Sequence, residues 1–119
     1  MTTPDEIHGP AGRILPRHAF EARIKILLKR GGQSLTLQGW TRNLSEGGVN
    51  AFVAHSLSLG EFVMLEIPFP DAASHDIPAQ VVRALGTEYG FQFTALSVEQ
   101  RLQIQTALEG HPVIPYQRR

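Results

Sequence analysis

Residues Phe20 to Trp40 read FEARIKILLKRGGQSLTLQGW, and the alternation within them decides the fold. Phe20, Ala22, Ile24, Ile26 and Leu28 share one parity, while Glu21, Arg23, Lys25 and Lys29 hold the other. A two-residue period of this kind buries one set of side chains and leaves the other in water, the signature of a half-buried strand. Gly31 and Gly32 then supply turn chemistry. Leu35, Leu37, Gly39 and Thr41 start a second strand, with Trp40 on its other face.

The same punctuation continues outward from this hairpin. NLSEGG, Asn43 to Gly48, reads as a hairpin loop, and Val49 to Val53 as a short strand. Leu59-Gly60 marks a turn before FVMLEIPF, residues 62–69, and PDAASHD, residues 70–76, is a polar loop. IPAQVVRAL, residues 77–85, alternates again, with Pro78 fitting an edge or a strand start. Gly86 precedes a last strand in YGFQFTA, residues 89–95. Ser97 with Gln100 three positions later predicts a capped helix carrying Leu102, Ile104, Gln105 and Leu108, which Gly110 and Pro112 end. Six short strands followed by one helix predict an all-β domain with one C-terminal helix, built as a small antiparallel barrel. Residues 1–12 read as a flexible arm, 13–110 as the barrel domain and 111–119 as a tail; the chain as far as His18 is expected to be mobile until a ligand orders Arg13 to His18.

Composition narrows the function. Of 119 residues, 42% are hydrophobic and 18% charged, which fits a globular domain. Eleven basic residues balance eleven acidic ones, so no global field draws DNA or a membrane, and any anion site has to be built locally. There is no cysteine, the N-terminus lacks an apolar signal core, and no apolar run approaches the roughly 20 residues that span a bilayer. The expectation is a cytoplasmic protein with no membrane span.

Catalytic and metal chemistry find little footing. His8, His18, His55, His75 and His111 are scattered singly, without metal-ligand spacing. Ser45 does not sit in a G-x-S-x-G elbow, and there is no phosphate-binding loop or dinucleotide fingerprint. No catalytic residue, metal site or cofactor is expected. GRILPR, residues 12–17, is more informative. Arg13 and Arg17 stand four apart on a segment that Pro16 keeps from being helical, and each guanidinium is a planar fork that matches phosphate oxygens or the O6 and N7 of guanine. In NLSEGG, Asn43 offers an amide, Ser45 a hydroxyl and Gly48 an uncovered backbone.

R-x-x-x-R at Arg13 and Arg17, followed one hairpin later by N-x-S-x-x-G at Asn43, Ser45 and Gly48, resembles the PilZ domain family. The resemblance runs from about Gly12 to Gly110, and VVRALGTEYGFQFTALS, residues 81–97, is similar to that family's final strands leading into its C-terminal helix. It implies a six-stranded antiparallel barrel that binds cyclic di-GMP, a bacterial second messenger. The implied grip is Arg13 and Arg17, and the implied platform is Asn43, Ser45 and Gly48. Asn43 stands where many members carry aspartate, so one of two acceptors for a guanine edge is replaced by a donor. With no output domain in the chain, an unidentified downstream protein is the expected partner. The alternative is an adaptor of the same fold that binds no nucleotide. Trp40 is expected to pack, His18 to be a bystander, Arg83 to face solvent, and Gly90, Phe91 and Phe93 to close the core.

Overall fold

The computed structural model describes residues 15–69 and 76–114. Its strands are β1 (His18–Ala19), β2 (Arg23–Arg30), β3 (Gln33–Leu44), β4 (Gly48–Val53), β5 (Phe62–Glu66), β6 (Asp76–Leu85) and β7 (Glu88–Phe93), followed by helix α1 (Val98–Glu109). All pairings are antiparallel, in the order β1-β3-β2-β5-β6-β7-β4, and β4 returns to β3. Strands β2 to β7 therefore close into a six-stranded barrel, as expected, and β1 is a two-residue addition on the far half of β3. Closure leaves the barrel without an edge, so Pro78 sits near the start of β6, opposite Met64 of β5.

The alternation of the opening hairpin becomes burial directly. Ile24, Ile26 and Leu28 are buried while Arg23, Lys25 and Lys29 are exposed. The turn between β2 and β3 is a two-residue connection with Gly31 and Gly32 at φ 58° and 80°, backbone that L-residues with a Cβ resist. Leu44, Val49, Val53, Leu65, Ile77, Val81 and Phe91 complete the barrel interior, and Phe93 also lies in it.

The capping box at Ser97 is present in full: Ser97 Oγ accepts from the Gln100 amide at 3.0 Å, and Gln100 Oε1 accepts from the Ser97 amide at 3.0 Å. Ile104, Ala107 and Leu108 join the core, whereas Leu102 is exposed. Residues two apart lie on opposite sides of a helix, so Leu102 and Ile104 cannot share one stripe. Beyond α1 the chain turns back: the Ala19 amide donates to the Pro112 carbonyl at 2.9 Å and the Ile114 amide to the Arg17 carbonyl at 2.8 Å. His18 bridges Val113, and its Nδ1 lies 2.9 Å from the His111 carbonyl. The expectation of a mobile chain as far as His18 is thus corrected for Arg17 and His18, which the post-helix segment straps to the barrel. Residues 1–12 and Arg13 lie outside the described residues.

Candidate functional site

Strict alternation along β3 would give Asn43 the inward parity of Leu37, Gly39 and Thr41. The structure breaks that parity. Thr41 pairs with Ala51 of β4, and Asn43 with the next β4 residue, Asn50, so Arg42 is an extra residue in the ladder. A bulge of this kind resets which face each following side chain takes. Leu44 becomes fully buried, and Asn43 turns outward, part-exposed. A second bulge does the same on β6: Val81 pairs with Phe91, but Arg83 pairs with Gly90. Between the bulges, Asn50 pairs with Gly90. Asn43, Asn50, Gly90 and Arg83 thereby form one row across β3, β4, β7 and β6 on the outside of the barrel.

Gly90 is the gap in this row. A Cβ there would lie 3.0 Å from Asn50 Oδ1 and 3.2 Å from the Arg83 Cβ. Gly90 therefore belongs to the outer row rather than to the core assigned to it from sequence, while Phe91 and Phe93 do face inward. Asn50 is buried, and its amide has no hydrogen-bond partner among the described residues. Asn50 was not picked out from sequence, since it needs the cross-strand register to acquire a place.

Arg17 reaches this row from just before β1. Its Nη1 donates to Asn43 Oδ1 at 2.9 Å. Burial, and then the like charge of Arg83, hold its guanidinium below the ordinary arginine range. Arg17, bonded to Asn43, and Arg83, whose Nε lies 3.6 Å from where a Gly90 Cβ would be, thus flank a row that includes the side-chain amides of Asn43 and Asn50. Among the described residues the ion pair present is Arg30–Glu61, on another part of the surface, and no carboxylate bridges Arg17 to Arg83. Arg83 is exposed, as expected from sequence, and it stands in the same outer row as Asn43 and Asn50. The chain leading to Arg17 also lies against the loop: Leu15 Cδ1 is 3.2 Å from where a Cβ on Gly47 would be.

The two remaining platform residues, Ser45 and Gly48, also have parts in the fold itself. The loop is shorter than NLSEGG, because Asn43 and Leu44 belong to β3 and Gly48 to β4. Ser45 is 3% exposed, and its Oγ accepts from the Gly47 amide at 3.2 Å and lies 3.4 Å from the Gly48 carbonyl oxygen. The hydroxyl holds the turn together instead of standing free on its surface. Gly48 is buried, and its φ is not among the positive ones. A Cβ at Gly48 would run into the Phe91 carbonyl of β7. The missing side chain lets β4 approach β7 closely.

Ser45→Ala is accordingly expected to lower folding stability by about 1 kcal/mol, the typical value of a lost intramolecular hydrogen bond. Urea unfolding checks this, and a midpoint equal to that of the parent chain would show that the hydroxyl contributes nothing to the turn. Among the described residues no group of three His, Cys, Asp or Glu side chains is placed to hold a metal, and no helix is long and apolar enough to cross a membrane.

The fold has counterparts in known proteins. The PilZ domain family matches residues 13–110. The chain is similar to the PilZ domain of CeSA from a cellulose-synthesizing bacterium, at 21% identity over 79% of this chain and 95% of that one, with a TM-score of 0.60. It is also similar to the PilZ domain of YcgR from Escherichia coli, solved with c-di-GMP, at 18% identity over 79% and 86%, TM-score 0.61. The Bacillus subtilis inhibitor of motility, MotI/DgrA, superposes with a TM-score of 0.62 at 16% identity, over 82% of this chain and half of that one. A search of curated proteins by sequence finds no match. With the family matched over most of its length and the barrel closed as described, the chain belongs to the PilZ domain family, whose members are binding and regulatory domains.

Proposed function

We propose that this domain is a receptor for cyclic di-GMP, held on the outer barrel face between Arg17 and Arg83. One observation carries the reading: two guanidiniums converge over Asn43, Asn50 and Gly90 without a bridging carboxylate among the described residues. Holding like charges together is costly unless an anion joins them, and a dinucleotide brings two phosphates. Asn43 Oδ1 is taken by Arg17, which leaves its amide N–H₂ to donate to a guanine O6 or N7 or to a phosphate oxygen. Arg13 is assigned to the same grip through the R-x-x-x-R motif. Ser45 and Gly48 contribute by shaping the loop under Leu15. The protein acts by binding rather than turnover, in the cytoplasm, and passes the signal to a downstream protein through the surface that the ligand changes.

Calorimetric titration of the full chain with cyclic di-GMP tests this. Arg17→Ala is expected to weaken binding by about 1–3 kcal/mol, the range for a bidentate contact to guanine. Arg83→Ala is expected to weaken it as well, although no sequence motif includes that residue. A flat titration of the folded parent chain would favour the second reading, a PilZ-fold adaptor that binds no nucleotide. That reading draws on the Arg17–Asn43 bond, which joins the two side chains without a ligand.

A further inference from the structure

One residue-pair along from the candidate site, the outside of the barrel carries a row of a different character. Arg23 of β2 pairs with Trp40 of β3, Trp40 with Phe52 of β4, Phe52 with Glu88 of β7, and Glu88 with Leu85 of β6. Trp40 is 42% exposed, Phe52 44% and Leu85 67%. The expectation that Trp40 packs into the fold is thereby corrected: it lies outside the core, with the Arg23 guanidinium 5.8 Å from its ring centroid. Aromatic pairs across a sheet add to its stability, yet this pair leaves nearly half of each ring in water. Exposed apolar strips inside a polar rim mark interaction surfaces. The rim here is Lys25 and Gln38 on one side, and Arg42 and Asn43 on the other.

We infer that this strip docks a second copy of the same chain, about a two-fold axis passing between Trp40 and Phe52. The order of charges argues for that occupant. The aromatic pair lies in the middle, with a cation on the Trp40 side and a carboxylate on the Phe52 side. A two-fold contact reverses the row on the partner, because in such an interface residue i meets j and j meets i. Trp40 then meets the partner copy's Phe52, and Arg23 meets the partner copy's Glu88, twice over. A surface with the same charge at both ends would repel its own image, whereas this one attracts it. Eleven basic and eleven acidic residues leave no net charge to oppose association.

The strip lies on a curved barrel wall and has only two apolar side chains at its centre, Trp40 and Phe52, with Leu85 at one end beyond Glu88. It therefore falls well short of the roughly 800 Å² per partner found in stable complexes, and the dimer is weak and concentration-dependent. None of these five residues belongs to the Arg17–Arg83 row, so the inference is independent of nucleotide binding and is tested without ligand.

The experiment is sedimentation equilibrium of the nucleotide-free chain from about 10 µM to about 1 mM, a range that covers weak association. The weight-average mass is expected to rise from monomer towards dimer across it. Arg23→Glu and Glu88→Arg, each alone, place like charges opposite one another and are expected to weaken self-association at least about fivefold, a reduction within the reach of a like-charge contact. An equimolar mixture of the two variants restores both opposite-charge contacts and is expected to associate more tightly than either alone. Both substitutions lie on the exposed outer face, and circular dichroism confirms that each variant is folded. A chain that stays monomeric throughout, or a mixture that associates no better than its separate components, overturns the inference.

Discussion

Gly48→Ala is expected to destabilise the folded domain by about 3 kcal/mol, the upper part of the usual range for forcing an extra carbon into a packed interior. The added methyl would meet the Phe91 carbonyl and would also lie 3.3 Å from the Gln92 Cα, so both obstacles are main chain. A crowded side chain can change rotamer, but a strand held by ladder bonds on both sides cannot move aside cheaply. Gly48 pairs with Gln92, and Val49 with Phe91, so relief would require opening the β4–β7 seam of the barrel. Thermal unfolding should show a fall in midpoint of roughly 10 °C, at about 4 °C per kcal/mol for a domain of this size. A parent-like midpoint would mean that the two strands can separate locally without cost. Any loss of ligand affinity in this variant is expected to follow the unfolded fraction, since the position shapes the site from beneath.

The second large effect is expected at Thr41, which is fully buried. Its Oγ1 accepts from the Ala22 amide at 2.8 Å and donates to the Phe20 carbonyl at 2.7 Å. These groups belong to the link between β1 and β2, which has few ladder bonds of its own. Thr41→Val keeps the shape of the side chain but removes both partners at once. Leaving a buried donor or acceptor unpaired costs about 1–3 kcal/mol, so the total is expected to be about 2–4 kcal/mol. Thr41→Ser keeps the hydroxyl and loses one methyl group, at a cost of about 1 kcal/mol. Urea unfolding of both variants distinguishes the hydroxyl from the methyl, and equal losses would sink this account. The Ala22 amide should also exchange faster with solvent in Thr41→Val. Because the same link leads to His18 and Arg17, the valine variant should loosen the Arg17–Asn43 contact.

Much of this architecture is legible in the sequence because it depends on local rules. Alternation in β2 sorts Ile24, Ile26 and Leu28 from Arg23, Lys25 and Lys29, and the structure keeps that sorting. The double-glycine turn and the Ser97–Gln100 capping box are equally local, and both are present. β1 was not legible, since a two-residue strand carries no period; it exists because Leu44 and Asn43 offer pairing partners and the segment after α1 presses on it from the other side.

For the candidate site, the family resemblance carried by the two motifs named Arg17 and Asn43 together, and the structure brings them into contact. Sequence alone did not determine which way they face. The two bulges decided that: by adding Arg42 to β3 and Val82 to β6, they turn Asn43 and Arg83 outward into one row with Asn50 and Gly90. Both bulges lie within hairpins, β3–β4 and β6–β7, but a bulge is a property of how two strands pair, so strict periodicity along either strand predicts the opposite face. Tertiary structure likewise decided that Gly48 serves the β4–β7 approach and that Trp40 and Phe52 lie side by side in water. Periodicity, turns and caps are encoded over a few neighbouring residues, whereas a site assembled from four strands exists only once the barrel has closed.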